Sequence, residues 1–231
     1  AGSKAIKGQV TGPVSLGLQI FDSNGKSVIY DGAYSEIIRK NLNLMLRWQE
    51  RELQKHCTRA LLFLDEPSLS LVGTPFAAVS PENVTSWINE VFENVSCIKG
   101  LHCCGNTDWP TVLKTNVDVL SFDAYNYGHT ISLYPTEVKR FLERGGSIAW
   151  GIIPNQEDSL RLASVAGLIE KLERTMASLV AKGVDPETLY RTSLLTPQCG
   201  LGSLDEPLAA EALALLNQVS NTFRERHSLE G

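Results

Sequence analysis

No run of about 20 consecutive apolar residues occurs in the chain, which excludes a membrane-spanning helix. The start carries no basic segment leading into an apolar one, so no secretory signal is read there. Basic residues are outnumbered: 21 Lys and Arg face 26 Asp and Glu, a net charge of −5. That balance argues against a nucleic-acid partner, which would want a basic face, and it points to a cytoplasmic protein. There is no G-x-G-x-x-G, no phosphate loop and no G-x-S-x-G, so nucleotide-binding and serine-hydrolase readings have no footing. Cysteines number five, too odd a count for a disulfide framework. Without an export signal they are expected to be reduced, buried or metal-bound.

What is present is enough for one large domain spanning residues 1–231, with 43% hydrophobic residues to fill its core. Six short apolar runs read as strands: Ala5 to Val10, Ala60 to Leu64, Cys97 to Leu101, Val117 to Phe122, Ser147 to Ile153 and Tyr190 to Leu195. They are short and mostly apolar rather than strictly alternating, as parallel strands buried on both faces are. Helices lie between them, predicted from Ser35 to Cys57, after the Ser80–Pro81 cap, after Asp108, from Pro135 to Gly145, as one long helix from Gln156 to Lys182, and from Pro207 onward. Asp22-Ser23-Asn24-Gly25 is a turn signal inside the first crossover. Repeated βα units predict an α/β fold with a parallel sheet and right-handed crossovers. A TIM barrel needs eight such units; six are read here, so either the sheet is open or about two more units are expected ahead of Ala1.

In parallel α/β folds the chemistry collects at the carboxyl ends of strands. The unusual residues fall there in turn: Thr11-Gly12-Pro13, Asp65-Glu66-Pro67, His102-Cys103-Cys104, Asp123, Pro154-Asn155 and Pro197-Gln198-Cys199-Gly200. In an extended segment, side chains alternate, so His102 and Cys104 point one way and Cys103 the other. Any one of these residues alone reads as a buried core residue. Together, His102, Cys104 and Cys199 read as an imidazole and two thiolates, the preferred ligands of zinc, leaving a fourth position for a substrate. Asp123 is either a reversible fourth ligand or a helix cap. Asp65 is placed to bind an ammonium group, with Glu66 beside it in a supporting network, or the pair is an acidic turn. Tyr125 to His129 reads as a loop that lines a pocket or packs on the surface.

These residues resemble the catalytic barrel of cobalamin-independent methionine synthase and its shorter relatives, within the uroporphyrinogen-decarboxylase-like superfamily. The likeness rests on Lys7-Gly8-Gln9-Val10-Thr11-Gly12-Pro13-Val14, Leu64-Asp65-Glu66-Pro67-Ser68-Leu69, His102-Cys103-Cys104 and Thr196-Pro197-Gln198-Cys199-Gly200-Leu201. It implies strands three to eight of a (β/α)8 barrel, a Zn2+ cofactor on His102, Cys104 and Cys199, and homocysteine bound through Asp65 and Glu66. It implies a glutamate as the further zinc ligand, where this chain has Asp123. It also implies a proton-donating histidine after the seventh strand, where this chain has Pro154-Asn155. The absent histidine favours a corrinoid protein over methyltetrahydrofolate as methyl donor, because a methyl–cobalt bond needs no leaving-group proton. Transfer to another thiol, such as coenzyme M, and a non-catalytic barrel remnant are the alternative readings.

Overall fold

A computed structural model describes residues 4–229. Six strands alternate with ten helices: β1 (Ile6–Thr11), α1 (Pro13–Gln19), α2 (Gly32–Leu53), β2 (Ala60–Asp65), α3 (Pro81–Val91), β3 (Ile98–Cys103), α4 (Trp109–Leu113), β4 (Val119–Phe122), α5 (Ala124–Ile131), α6 (Pro135–Glu143), β5 (Ser147–Ile153), α7 (Glu157–Leu162), α8 (Val165–Val180), α9 (Pro186–Arg191), β6 (Ser193–Pro197) and α10 (Glu206–Arg226). The strands form one sheet in sequence order, β1-β2-β3-β4-β5-β6. Pairing is parallel from β1 to β2, from β2 to β3 and from β5 to β6. This is the α/β arrangement of consecutive βα units of a TIM-barrel-type fold. The chain divides into two compact units, residues 1–120 and 121–231.

In the first unit, α2 is capped by Asp31, whose side chain accepts from the Ala33 and Tyr34 amides. The helix turns Ile38, Leu42 and Leu46 inward, where Val84, Ile88 and Val91 of α3 are also buried. Each such side chain contributes about 1.5–3 kcal/mol through the water it leaves. Arg39 and Lys40 of α2 clasp Glu90 of α3 at 2.6 and 2.8 Å. Glu50, nearly buried, accepts from the Ser96 and Cys97 amides and the Ser96 hydroxyl, which fixes the approach to β3. The Asp22 turn forms as predicted, with its carboxylate accepting from the Asn24 and Lys26 amides and Gly25 at φ +75°.

In the second unit, Trp150 of β5 is fully buried against Phe122, ring centroids 5.6 Å apart, and its indole N–H donates to Ser193 Oγ at 2.9 Å. Helix α8 buries Leu168, Leu172 and Met176, and α10 buries Ala212, Val219 and Phe223. The predicted helix over 156–182 is two helices. Ala163 is extended (ψ 140°), and Ser164 starts α8 afresh by accepting from the Gly167 amide. Tyr190 and Arg191, predicted to begin a strand, end α9 instead, because Asp185 and Pro186 cap and open that helix.

Candidate metal and substrate site

The first unit assembles its polar residues at the carboxyl ends of β1, β2 and β3. Asp65 and His102 are register partners there. His102 Nε2 and Cys104 Sγ lie 3.0 Å apart. Cys103, between them, is fully buried, its sulfur turned to the Gly105 carbonyl at 3.4 Å, and burial pushes its thiol up to about 12. The alternation predicted for this segment is the alternation observed. Two zinc ligands at 2.0–2.1 Å (N) and 2.3 Å (S) in tetrahedral geometry sit about 3.5 Å apart. The pair is therefore about half an ångström tighter than coordination demands, a gap that small side-chain rotations open. An imidazole and a sulfur at this spacing fit zinc in chemistry and in reach.

Glu66 is a strut. It is fully buried, and its carboxylate accepts from the Val14 amide (2.8 Å), the Ser15 amide (2.8 Å) and the Ser15 hydroxyl (2.6 Å). Its own backbone N–H donates to the His102 carbonyl at 2.8 Å, tying the β1–α1 turn to the end of β3. A Cβ on Gly12 would fall 2.3 Å from Glu66 Oε1, so only glycine lets this carboxylate in. Burial raises Glu66 to about 7, against the opposing pull of its three donors. Because the folded value lies above the ordinary 4.5, its stabilising contribution is complete below about pH 4.5 and is lost as pH rises through about 7. The loss amounts to about 3 kcal/mol. Urea unfolding between pH 4.5 and 8 is expected to show this decline, and Glu66→Gln is expected to remove it.

Asp65 is half-buried and accepts from Gln9 Nε2 at 2.7 Å. With Gln9, Thr11 and Gln49 it lines a cavity of about 430 Å3, whose apolar wall includes Leu42 and Met45. The two members of the acidic pair thus part company: Asp65 faces a cavity, whereas Glu66 is spent on the fold.

In the second unit, Asp123 follows β4 and caps α5. It accepts from the Asn126 amide at 2.9 Å and from Asn126 Nδ2 at 2.7 Å, so both oxygens are engaged. Its carboxyl is raised from the ordinary value by burial and, to a smaller degree, by the neighbouring Cys199. That cap makes Tyr125 to His129 a helix rather than the predicted loop. Cys199 is half-buried on the turn after β6. The turn is pinned to β5 by the Gln198 amide donating to the Ile153 carbonyl (2.8 Å) and by Asn155 Nδ2 donating to the Gly200 carbonyl (3.1 Å). Gln9, Asn126 and Asn155 are positioning residues to which the sequence assigned no individual role; each lay within a segment already singled out, Asn155 as a polar residue at a strand end.

No family model matches the chain. No curated protein matches it either. Among solved structures, it is similar to a methyltransferase from Methanosarcina mazei, with a TM-score of 0.55 at 13% identity. That match covers 94% of this chain and 59% of the methyltransferase, so this chain spans little more than half of its neighbour's length. An uncharacterised protein is matched over 100% of this chain and 57% of its own, at 14% identity and a TM-score of 0.40. The likeness to the methyltransferase is one of fold. Among the described residues, no helix is long and apolar enough to cross a membrane.

Proposed function

We propose that this chain is the zinc-binding part of a methyltransferase that methylates a thiol, with homocysteine as acceptor and methionine as product. The observation that carries this reading is the pair His102 and Cys104, a ring nitrogen and a sulfur 3.0 Å apart at the end of a buried parallel strand. Cys199, carried by the turn after β6, is assigned as the third ligand. A nitrogen–sulfur donor set selects zinc over the hard cations, which take oxygen. Held by the His102 imidazole and the Cys104 and Cys199 thiolates, zinc would lower the pKa of an acceptor thiol, which at about 8.5 is otherwise mostly protonated at neutral pH. The fold is shared with a protein described as a methyltransferase, which supports the reaction class.

The chain's own residues do the remaining work. Asp65 holds the acceptor's ammonium group beside the cavity; a sulfonate thiol would meet its like charge there. Glu66 keeps the His102 carbonyl in place through its backbone N–H. Asp123 can serve as a further ligand only by releasing Asn126, and in its capping state it starts α5.

The assigned donor is a methylated corrinoid protein. The acceptor sulfur forms the new S–CH3 bond as the methyl–cobalt bond breaks, and cobalt keeps the electron pair, so no proton is consumed. Methyltetrahydrofolate would require a proton on its departing nitrogen, and Pro154-Asn155 offers no acid for that task. Incubating the zinc-loaded protein with homocysteine and either methylcobalamin or methyltetrahydrofolate tests this. Methionine is expected from methylcobalamin alone. Formation from the folate overturns the donor, and formation from neither overturns the reaction.

A further inference from the structure

We propose that Lys7 is a positioning residue for Asp65: acting through Gln9, it keeps the Asp65 carboxylate turned to receive the acceptor's ammonium group. This role rests on homocysteine being the acceptor. The column of side chains that performs it does not.

Side chains alternate along a strand, so Lys7, Gln9 and Thr11 share one face of β1. Phe63 and Asp65, in register with Gln9 and Thr11, carry that face onto β2. Gly100 and His102, in register with Phe63 and Asp65, carry it onto β3. The ammonium site and a metal ligand therefore stand side by side at the carboxyl ends, with Lys7, Gln9 and Phe63 below them on the same face.

The column is seated on Gly100. A Cβ there would fall 2.4 Å from the Phe63 ring, so glycine is what lets the ring, which is buried, lie against β3. The Lys7 ammonium stands over that ring, 4.7 Å from its centroid, where the electron-rich face attracts a cation. From this seat Lys7 Nζ donates to Gln9 Oε1. Gln9 Nε2 in turn donates to Asp65 Oδ2 at 2.7 Å.

The order of donors allows one arrangement only. An ammonium has three donors and no acceptor, so it takes the oxygen end of the Gln9 amide and leaves the nitrogen end for Asp65. Without Lys7 the amide is free to turn over. Its oxygen would then meet the Asp65 oxygen with no proton between them, and the carboxylate would have to turn aside. Lys7 and Gln9 are both exposed, and exposed charged contacts add little to stability. Their effect is one of direction, and it falls on substrate binding.

The test measures methyl transfer from methylcobalamin to homocysteine and to a thiol of the same length that lacks the amino group. The variants are Lys7→Met, Lys7→Arg, Gln9→Leu and the double variant of Lys7→Met with Gln9→Leu. Lys7→Met is expected to raise KM for homocysteine about 3- to 10-fold, the range of one hydrogen bond. Neither kcat nor the KM of the amine-free thiol is expected to move. Lys7→Arg is expected to bring KM back, because a guanidinium is also a donor without an acceptor. In the Gln9→Leu background Lys7→Met is expected to add nothing, since residues acting through one shared contact are not additive. An unchanged KM in Lys7→Met, an equal rise for both thiols, or a full further rise in the double variant overturns the proposal. The 15N resonance of the Gln9 side-chain amide separates that failure from failure of the acceptor assignment. It is expected to move toward the position of a water-exposed glutamine in both Lys7→Met and Asp65→Asn. That pattern in a protein whose wild type forms no methionine overturns homocysteine as acceptor and leaves the column standing. Methionine formed without that pattern overturns the column.

Discussion

Cys104→Ala is expected to abolish both zinc retention and methyl transfer. Outer-sphere partners of a metal typically carry 10–100-fold in affinity, so removing a ligand itself is expected to cost at least about 100-fold. The loss of activity follows from the acceptor's chemistry. With a pKa of about 8.5, an unassisted thiol is only a few per cent thiolate at neutral pH. Cys103→Ala is the internal control. Its sulfur is buried and turned to Gly105, so its removal is expected to leave zinc content unchanged. Metal analysis after dialysis, with a methylation assay on the same samples, checks both variants. Equal zinc in wild type and Cys104→Ala would contradict the ligand assignment.

Asp65→Asn is expected to separate substrates rather than to disable the enzyme. A hydrogen bond to a charged group is worth about 1.5–3 kcal/mol, or roughly 10- to 150-fold in kcat/KM. The loss is expected for homocysteine and not for a thiol of the same length that lacks the amino group. The geometry allows this selectivity because Asp65 faces the cavity beside Gln9, whereas Glu66 carries the structural bonds. If both thiols lose rate equally, Asp65 acts through Gln9 and the fold, and the ammonium role fails.

The parallel sheet was most legible at β2 and β5, which are short, nearly unbroken apolar runs, and Ser147 to Ile153 matches its observed bounds; β1 and β3 carry Lys and Gly within them and read less clearly. Other boundaries slipped where a helix cap competes with the apolar pattern. Tyr190 is apolar enough to read as strand, yet Asp185 and Pro186 commit it to α9. The break at Ala163 carries neither glycine nor proline, and only the Ser164 cap marks it. The side-chain alternation at His102-Cys103-Cys104 follows from extended backbone alone, so it could be read before any coordinates. The division of labour between Asp65 and Glu66 was less accessible. It depends on two amides and a hydroxyl some 50 residues away in sequence. Asp123 raised the same difficulty, since the asparagine that occupies both its oxygens stands three residues on and gives no motif.

X-ray absorption at the zinc edge, recorded before and after addition of homocysteine, tests the central claim most directly. The account predicts one zinc per chain with one nitrogen and two sulfur ligands from the protein, and a third sulfur on adding homocysteine. A spectrum of four protein ligands that homocysteine leaves unchanged, or a protein that holds no zinc, would contradict it.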